Sequence, residues 1–434
     1  MSSKNAPLVL CRVCSLWRGI ALDTPRLWAT VAITIRPRGD PVACRDVVTA
    51  WLERSRALPL ALYLKPKVTW CSIGIEDPIL DAILPVVFSH SYRWQQVFIH
   101  LAGNPPLSFH QLDTPILRSF TLTGTRREDK AIPFPFSNTP HLKQLHWPFS
   151  IDIPASPQIP WNQISNLCIS GGMTLFAALE AIRLCPQLEE FDVNIATVLF
   201  FNWERDSRLP LNPVVENRSL RVLKILTYRD CSPFLNSLTL PALNKFTFKV
   251  VIADEYCAHG PREMVPEEHQ AFLDLLTRSG CQLERLKIGH CAFTAPAILQ
   301  CLEHKSLETI QALTIANHYY LPIVSKDTLA RLTIPSPSRV LLPMLTDLTL
   351  EMCLGRCSGA LGEMVYSRRC LWEKHGTAQL KSFSVESNLS NKDYDLISKA
   401  ASDGLKTSIL SDPDACHYGY YSGSDNDSDG GSDN

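Results

Sequence analysis

The sequence predicts an α/β chain: an irregular solenoid with short parallel strands along its concave side and mixed helices and loops outside, after a short helical N-terminal segment. Three observations carry this. A phrase of Leu, two residues, Leu or Phe, one residue, then an aliphatic or aromatic residue recurs between residues 117 and 385, with a weaker early copy at 94–99. Its early copies begin at residues 94, 117, 142, 164 and 188, in steps of 23, 25, 22 and 24. The stretches between copies show either helix-type apolar spacing or runs rich in proline.

The chain opens with a helical reading. In LVLCRVCSLWRGIALDTPRLWATVAI (8–33), Val9, Val13, Leu16 and Trp17 place an apolar stripe along one helix. Thr24-Pro25 stops it, and Leu27-Trp28 packs back. The next segment is WLERSRALPLALYL (51–64).

The strand phrases follow. They are LRSFTL (117–122), LKQLHW (142–147), ISNLCI (164–169), LEEFDV (188–193), LRVLKI (220–225) and LNKFTF (243–248). Then come LERLKI (283–288), IQALTI (310–315), LARLTI (329–334), LTDLTL (345–350) and LKSFSV (380–385), with an earlier copy, WQQVFI, at 94–99. Apolar triplets alone are common, but here the intervening positions are mostly polar. Several copies also share a proline lead-in, as in TPILRSF, CPQLEEF and LPALNKF. The regular steps match the period of leucine-rich repeats, and the later, uneven ones imply insertions. The last two apolar positions lie two apart, so both face one side of a strand. So short a strand cannot bury that side alone, and stacking on neighbours completes the core.

Helices are expected at 173–186, at 266–281 with Gly280 as the stop, and at 294–306 with Thr294 as N-cap. IPFPFSNTP (132–140) and IDIPASPQIP (151–160) read as extended or irregular, Gly171-Gly172 as a short turn, and PREMVPEEH (261–269) as a loop insertion. The tail SGSDNDSDGGSDN (422–434) has no apolar residue and reads as a disordered, solubilising acidic segment. The resulting organisation is 1–35, N-terminal helical unit; 36–92, linking helices and a first irregular repeat; 93–390, repeat solenoid; 391–415, C-terminal cap; and 416–434, tail.

Composition narrows the function. The 434 residues are 45% hydrophobic and 20% charged, which is globular but too long for one compact core. A formal net charge of -1 supplies no field for nucleic acid or an anionic membrane, so neither partner is expected. There is no run long and apolar enough to span a bilayer, and MSSKNAPLVLCRVC lacks a secretory signal pattern. Fifteen scattered cysteines, an odd number, read as reduced, mostly buried thiols in a cytoplasmic or nuclear protein. Cys11/Cys14 and Cys353/Cys357 are lone pairs that read as apolar positions rather than zinc ligands. No phosphate-binding loop, HExxH or GxSxG is present, and His290-Cys291 reads as a loop at the repeat edge. The expectation is a non-enzyme with no cofactor and no metal.

Val13, Cys14, Trp17, Ala21, Thr24, Pro25, Leu27 and Trp28 carry a resemblance. VCSLWRGIALDTPRLWATV resembles the second half of the F-box in the F-box-like proteins abundant in mushroom-forming fungi, and the segment at 51–64 and the repeats follow the same order. The resemblance is specific over about forty residues near the N-terminus. The Leu-Pro-x-Glu helix that opens the motif in that family is not found ahead of Val13, so the F-box reads as partial. The resemblance implies the substrate-recognition subunit of a cullin-RING ubiquitin ligase. Leu8, Leu10, Val13, Cys14, Trp17, Ala21, Pro25, Leu27 and Trp28 would then meet the Skp-type adaptor, while the repeats hold a substrate protein. The alternative is a leucine-rich-repeat scaffold without a ligase role. In either case the expected docking surface is the set of exposed positions in the strand phrases: Arg118, Lys143, Glu189, Arg221, Lys224, Lys245, Glu284, Arg285, Lys287, Arg331 and Lys381. Their basic excess points to an acidic or phosphorylated partner.

Overall fold

The structure, a computed structural model, describes residues 7–35, 39–66, 78–101, 111–124, 134–151, 159–195, 214–227, 230–250, 268–289, 293–317, 322–335, 340–355 and 359–410. They belong to two compact units, 1–310 and 311–434. The tail, the PREMVP segment and His290-Cys291 lie outside the described residues.

In the first unit the chain forms α1 (Ser15–Leu22), β1 (Thr30–Ile35), α2 (Pro41–Arg54), β2 (Leu60–Pro66), α3 (Pro78–Phe88) and β3 (Trp94–Leu101). There follow β4 (Leu112–Asp113), β5 (Ser119–Gly124), β6 (Phe136–Asn138), β7 (Gln144–Trp147), β8 (Asn166–Met173), α4 (Leu175–Leu184) and β9 (Glu190–Ile195). The last elements are β10 (Val215–Glu216), β11 (Val222–Thr227), α5 (Ser232–Asn236), β12 (Leu238–Thr239), β13 (Lys245–Val250), α6 (Glu268–Ser279), β14 (Arg285–Gly289) and α7 (Ala295–Glu303). Strands β1, β2, β3, β5, β7, β8, β9, β11, β13 and β14 pair in that order, every pair parallel. The second unit forms β15 (Ala312–Ala316), α8 (Lys326–Leu332), β16 (Asp347–Glu351), α9 (Ala360–Cys370), β17 (Ser382–Glu386), α10 (Asn391–Ser402) and β18 (Lys406–Leu410), with β15 to β18 again parallel in chain order.

The registers explain the phrase. Phe120, Leu145, Leu167, Phe191, Leu223, Phe246 and Leu286 stand in one cross-strand row, all buried. Trp147, Ile169, Val193, Ile225, Phe248 and Ile288 form the next. The leading residue is buried in every copy that forms a strand, from Leu117 to Leu380. Burying one such side chain is worth about 1.5–3 kcal/mol, so three per strand form the core. The Pro-rich IPFPFSNTP stretch feeds the same core: Phe136 sits edge-on to Phe120 at 4.8 Å, and Phe134 edge-on to Trp147 at 5.9 Å.

Most expected helices form, and for the expected reasons. Thr174 caps α4 by accepting from the Ala177 N–H, and Thr294 caps α7 by accepting from the Ala297 N–H. Gly280, at φ 60, follows the end of α6.

Two expectations are corrected. LARLTI is not a strand: Ser325 accepts from the Thr328 N–H and starts α8, which buries Leu329 and Leu332. This phrase has no proline lead-in, and the capping serine overrides its apolar triplet. Arg331 therefore lies on a helix and leaves the expected docking face. Gly171-Gly172 is not a turn but the irregular part of β8, where the register shifts between Ile169 and Met173. A Cβ on Gly171 would stand 2.5 Å from the Pro148 carbonyl oxygen, so only glycine fits that approach.

The second unit depends on two buried ionic groups. Arg368 is fully buried and donates to the carbonyls of Leu332 (2.6 Å), Leu342 (3.0 Å) and Leu341. Burial pushes its guanidinium down to about 10, still charged at neutral pH. Asp393 is 2% exposed and accepts from the N–H groups of Gly359 and Gly362 at the start of α9 and from the Ser390 hydroxyl. Burial opposes its charge, but these donors outweigh burial and hold the carboxyl below its ordinary 3.8.

Replacing Arg368 with Met orphans three carbonyls and should cost about 3 kcal/mol. A fall of that size in the unfolding free energy from urea denaturation, with Lys381→Ala unchanged as an exposed control, is the expected result. Because the Asp393 carboxyl titrates lower folded than unfolded, its stabilisation is full above 3.8 and is lost as pH falls through the folded value. Asp393→Asn should accordingly lower stability at neutral pH and flatten the acid limb of a stability–pH curve.

Candidate functional site

Two surfaces remain once the core is filled. The first is at the N-terminus. Trp28 is fully buried, donates its indole N–H to the Ala21 carbonyl at 2.7 Å and meets Trp51 edge-on at 4.9 Å, with the Arg54 guanidinium over its ring. Ala21 is buried beneath it. These contacts fix α1, and Thr24 ends it by donating its hydroxyl to the Ile20 carbonyl. The opposite face of α1 stays open: Leu16 is 70%, Trp17 48% and Ile20 58% exposed. The expected helix through Val9 and Val13 is broken instead: Leu10–Arg12 form a short turn, Cys14 is extended at φ -160 and ψ 175, and exposed Val13 lies just ahead of α1. On α1, Leu16 with Trp17 and Ile20 at i, i+1 and i+4 make one apolar stripe. Of the expected adaptor-contacting residues, Val13, Cys14 and Trp17 are thus exposed and Leu8, Leu10, Pro25 and Leu27 half-buried. Ala21 and Trp28 are corrected to core residues, because they hold the helix rather than face outward.

The second surface is the open side of the strands in the first unit. The expected docking residues divide into three rows. Arg118, Lys143, Glu189 and Arg221 each precede a strand and line its leading edge: Lys143 N–H donates to the Arg118 carbonyl, and Arg221 N–H to the Glu189 carbonyl, both at 2.9 Å. Lys245 and Arg285 are paired in register at the first strand position, while Lys224 and Lys287 occupy the central row. Glu284 sits on the leading edge, and Lys381 holds the same kind of position in the second unit.

Residues that motif reading passed over also occupy the central row. His146, Cys168 and Asp192 stand side by side on β7, β8 and β9, with Lys224 next on β11. Lys224 donates to Glu190 at 2.6 Å and lies 3.8 Å from Asp192. The Glu190 hydrogen bond raises the Lys224 ammonium, and burial raises the Asp192 carboxyl against the pull of Lys224 and His146. Burial lowers the His146 imidazole, leaving it neutral at physiological pH, and burial together with Asp192 pushes the Cys168 thiol up to about 12. A His–Cys–Asp row in this setting holds a protonated thiol and no nucleophile. The signal that would have found it is the shared slot: all three occupy the residue before the last apolar position of their phrase. Among the described residues no group of three His, Cys, Asp or Glu is placed to hold a metal ion. No helix among them is long and apolar enough to cross a membrane.

The chain matches no protein-family model, and no curated protein matches it. Any function therefore has to be argued from these two surfaces.

Thiol labelling separates the exposed from the suppressed cysteines. Alkylation at about pH 8 should modify Cys14 and spare Cys168, as peptide mapping would show, because only the thiolate reacts. Rapid labelling of Cys168 would contradict its assigned environment.

Proposed function

We propose that this chain is a leucine-rich-repeat solenoid of the F-box-like class, acting as the substrate-recognition subunit of a cullin-RING ubiquitin ligase. The observation that carries the reading is the open stripe of Leu16, Trp17 and Ile20 on a helix otherwise locked by Trp28, with exposed Val13 just ahead of it. A large apolar surface on a fixed helix fits a protein partner better than solvent. The same residues carry the sequence phrase that resembles the F-box, whose partner is a Skp-type adaptor. Parallel strands stacked in chain order support the repeat reading, and their open faces offer the second docking surface, for a substrate protein. The subunit would act by proximity, holding its ligand near a ubiquitin-loaded enzyme, with no chemistry of its own and in a reducing cytoplasmic or nuclear setting. In the alternative, a scaffold without ligase role, only the strand face is used.

Capture of the full chain by an immobilised Skp-type adaptor tests the reading. Wild type should be retained, and Leu16→Asp with Ile20→Asp should weaken retention by about tenfold or more. Both positions are exposed, so the melting curve should not move. No retention of wild type would leave the scaffold reading standing in its place.

A further inference from the structure

We infer that strands β13 and β14 carry a binding site for an extended, phosphorylated acidic peptide segment. The inference rests on the strand face being the partner-docking surface, as proposed above, and names the class of segment held there.

Four cations converge on these two strands. Lys245 and Arg285 are register partners, Lys287 faces Thr247, and Lys249 faces Gly289. Neighbouring strands lie about 4.8 Å apart and alternate residues about 6.6 Å, so the four side chains arise within a patch of about 13 by 5 Å. Among the described residues none of the four is in an ion pair or a side-chain hydrogen bond. The acids on the face lie off the patch: Glu190 and Asp192 stand on β9, two strands away, and face Lys224, while Glu284 sits on the leading edge, outside the facing rows. Gly289 adds shape. The Lys249 stem lies over it, where a Cβ would come within 3.1 Å of Lys249 Cγ, so the far end of the patch has a cation but no opposing side chain.

The pattern selects its ligand. Like charges crowded this way repel, and an anion relieves the repulsion. The planar fork of Arg285 suits a phosphate bidentately, with Lys245 beside it as a second donor. Arg285 and Lys287 are separated by the same distance as alternate side chains of an extended peptide, so an acid two residues after the phosphoserine reaches Lys287. Thr247, between Lys245 and Lys249 on β13 and in register with Lys287, adds a hydroxyl to the patch. A peptide lying along β13 and β14 therefore meets four charges at its own repeat distance. A membrane surface would not require that spacing.

Fluorescence anisotropy with the full chain and a labelled peptide of alternating aspartate and phosphoserine tests this. Wild type should bind the phosphopeptide at least about tenfold more tightly than its unphosphorylated form, and the affinity should fall as salt is raised. Arg285→Glu and the pair Lys245→Glu with Lys287→Glu should each weaken binding by about tenfold or more, with Arg285→Gln intermediate. Circular dichroism melts should show all of these variants folded. Equal affinity for the two peptides, or unchanged binding by the folded variants, overturns the inference. So does capture of the chain by phosphatidylserine vesicles through the same cations, which would make the patch a membrane contact. Adaptor capture of Arg285→Glu should equal that of wild type. A chain that fails with the adaptor but binds the phosphopeptide refutes the ligase reading alone, and the converse result refutes this site alone.

Discussion

A strand of five or six residues with two or three apolar side chains on one side cannot exist alone, and everything else here follows from that. Its buried side closes only when the next strand brings the same residues into register. The rows Phe120 to Leu286 and Trp147 to Ile288 are that closure, and parallel pairing in chain order is the arrangement that repeats it. The leading Leu or Ile of each phrase adds a third buried layer ahead of the strand.

The same parity fixes the open face. Whatever lies between two buried residues is turned outward and aligned with its counterparts on either side. The face is therefore a set of rows rather than scattered side chains, and its chemistry changes strand by strand. Tyr63 and Phe98 are register partners on β2 and β3, His146 and Cys168 follow on β7 and β8, and Glu190 and Asp192 on β9 hold Lys224 on β11. Beyond that mixed cluster stand the cations of β13 and β14, so charge order along the sheet, not net charge, defines the proposed peptide site. A formal charge of -1 conceals such a segregation completely.

At the N-terminus the logic is reversed. Trp28 reaches back to Ala21 and Trp51 and uses up the inner side of α1, and Leu16, Trp17 and Ile20 on the other side are exposed. The proposed adaptor contact and the proposed peptide contact thus have different physical characters. One is an apolar stripe on a helix held by an aromatic anchor, and the other a charged patch on a rigid sheet. Each can fail without the other.

By itself the sequence determined the repeat phrase, nearly all the strands it marks, the capped helices α4, α6 and α7, and the helix–turn–tryptophan start. These depend on local spacing, capping and proline, which act over a few residues. Tertiary structure decided the rest. LARLTI has the right triplet but belongs to α8, because Ser325 caps a helix there and no neighbouring strand claims it. Gly171-Gly172 reads as a turn, yet contact with Pro148 and Phe149 places it within β8. Val13 and Trp28 look alike as apolar residues of one motif, and only packing separates the exposed from the buried. The cation cluster and the His146–Cys168–Asp192 row appear only when residues far apart in the chain are brought side by side. Register is a pairwise property of strands, and no single phrase contains it.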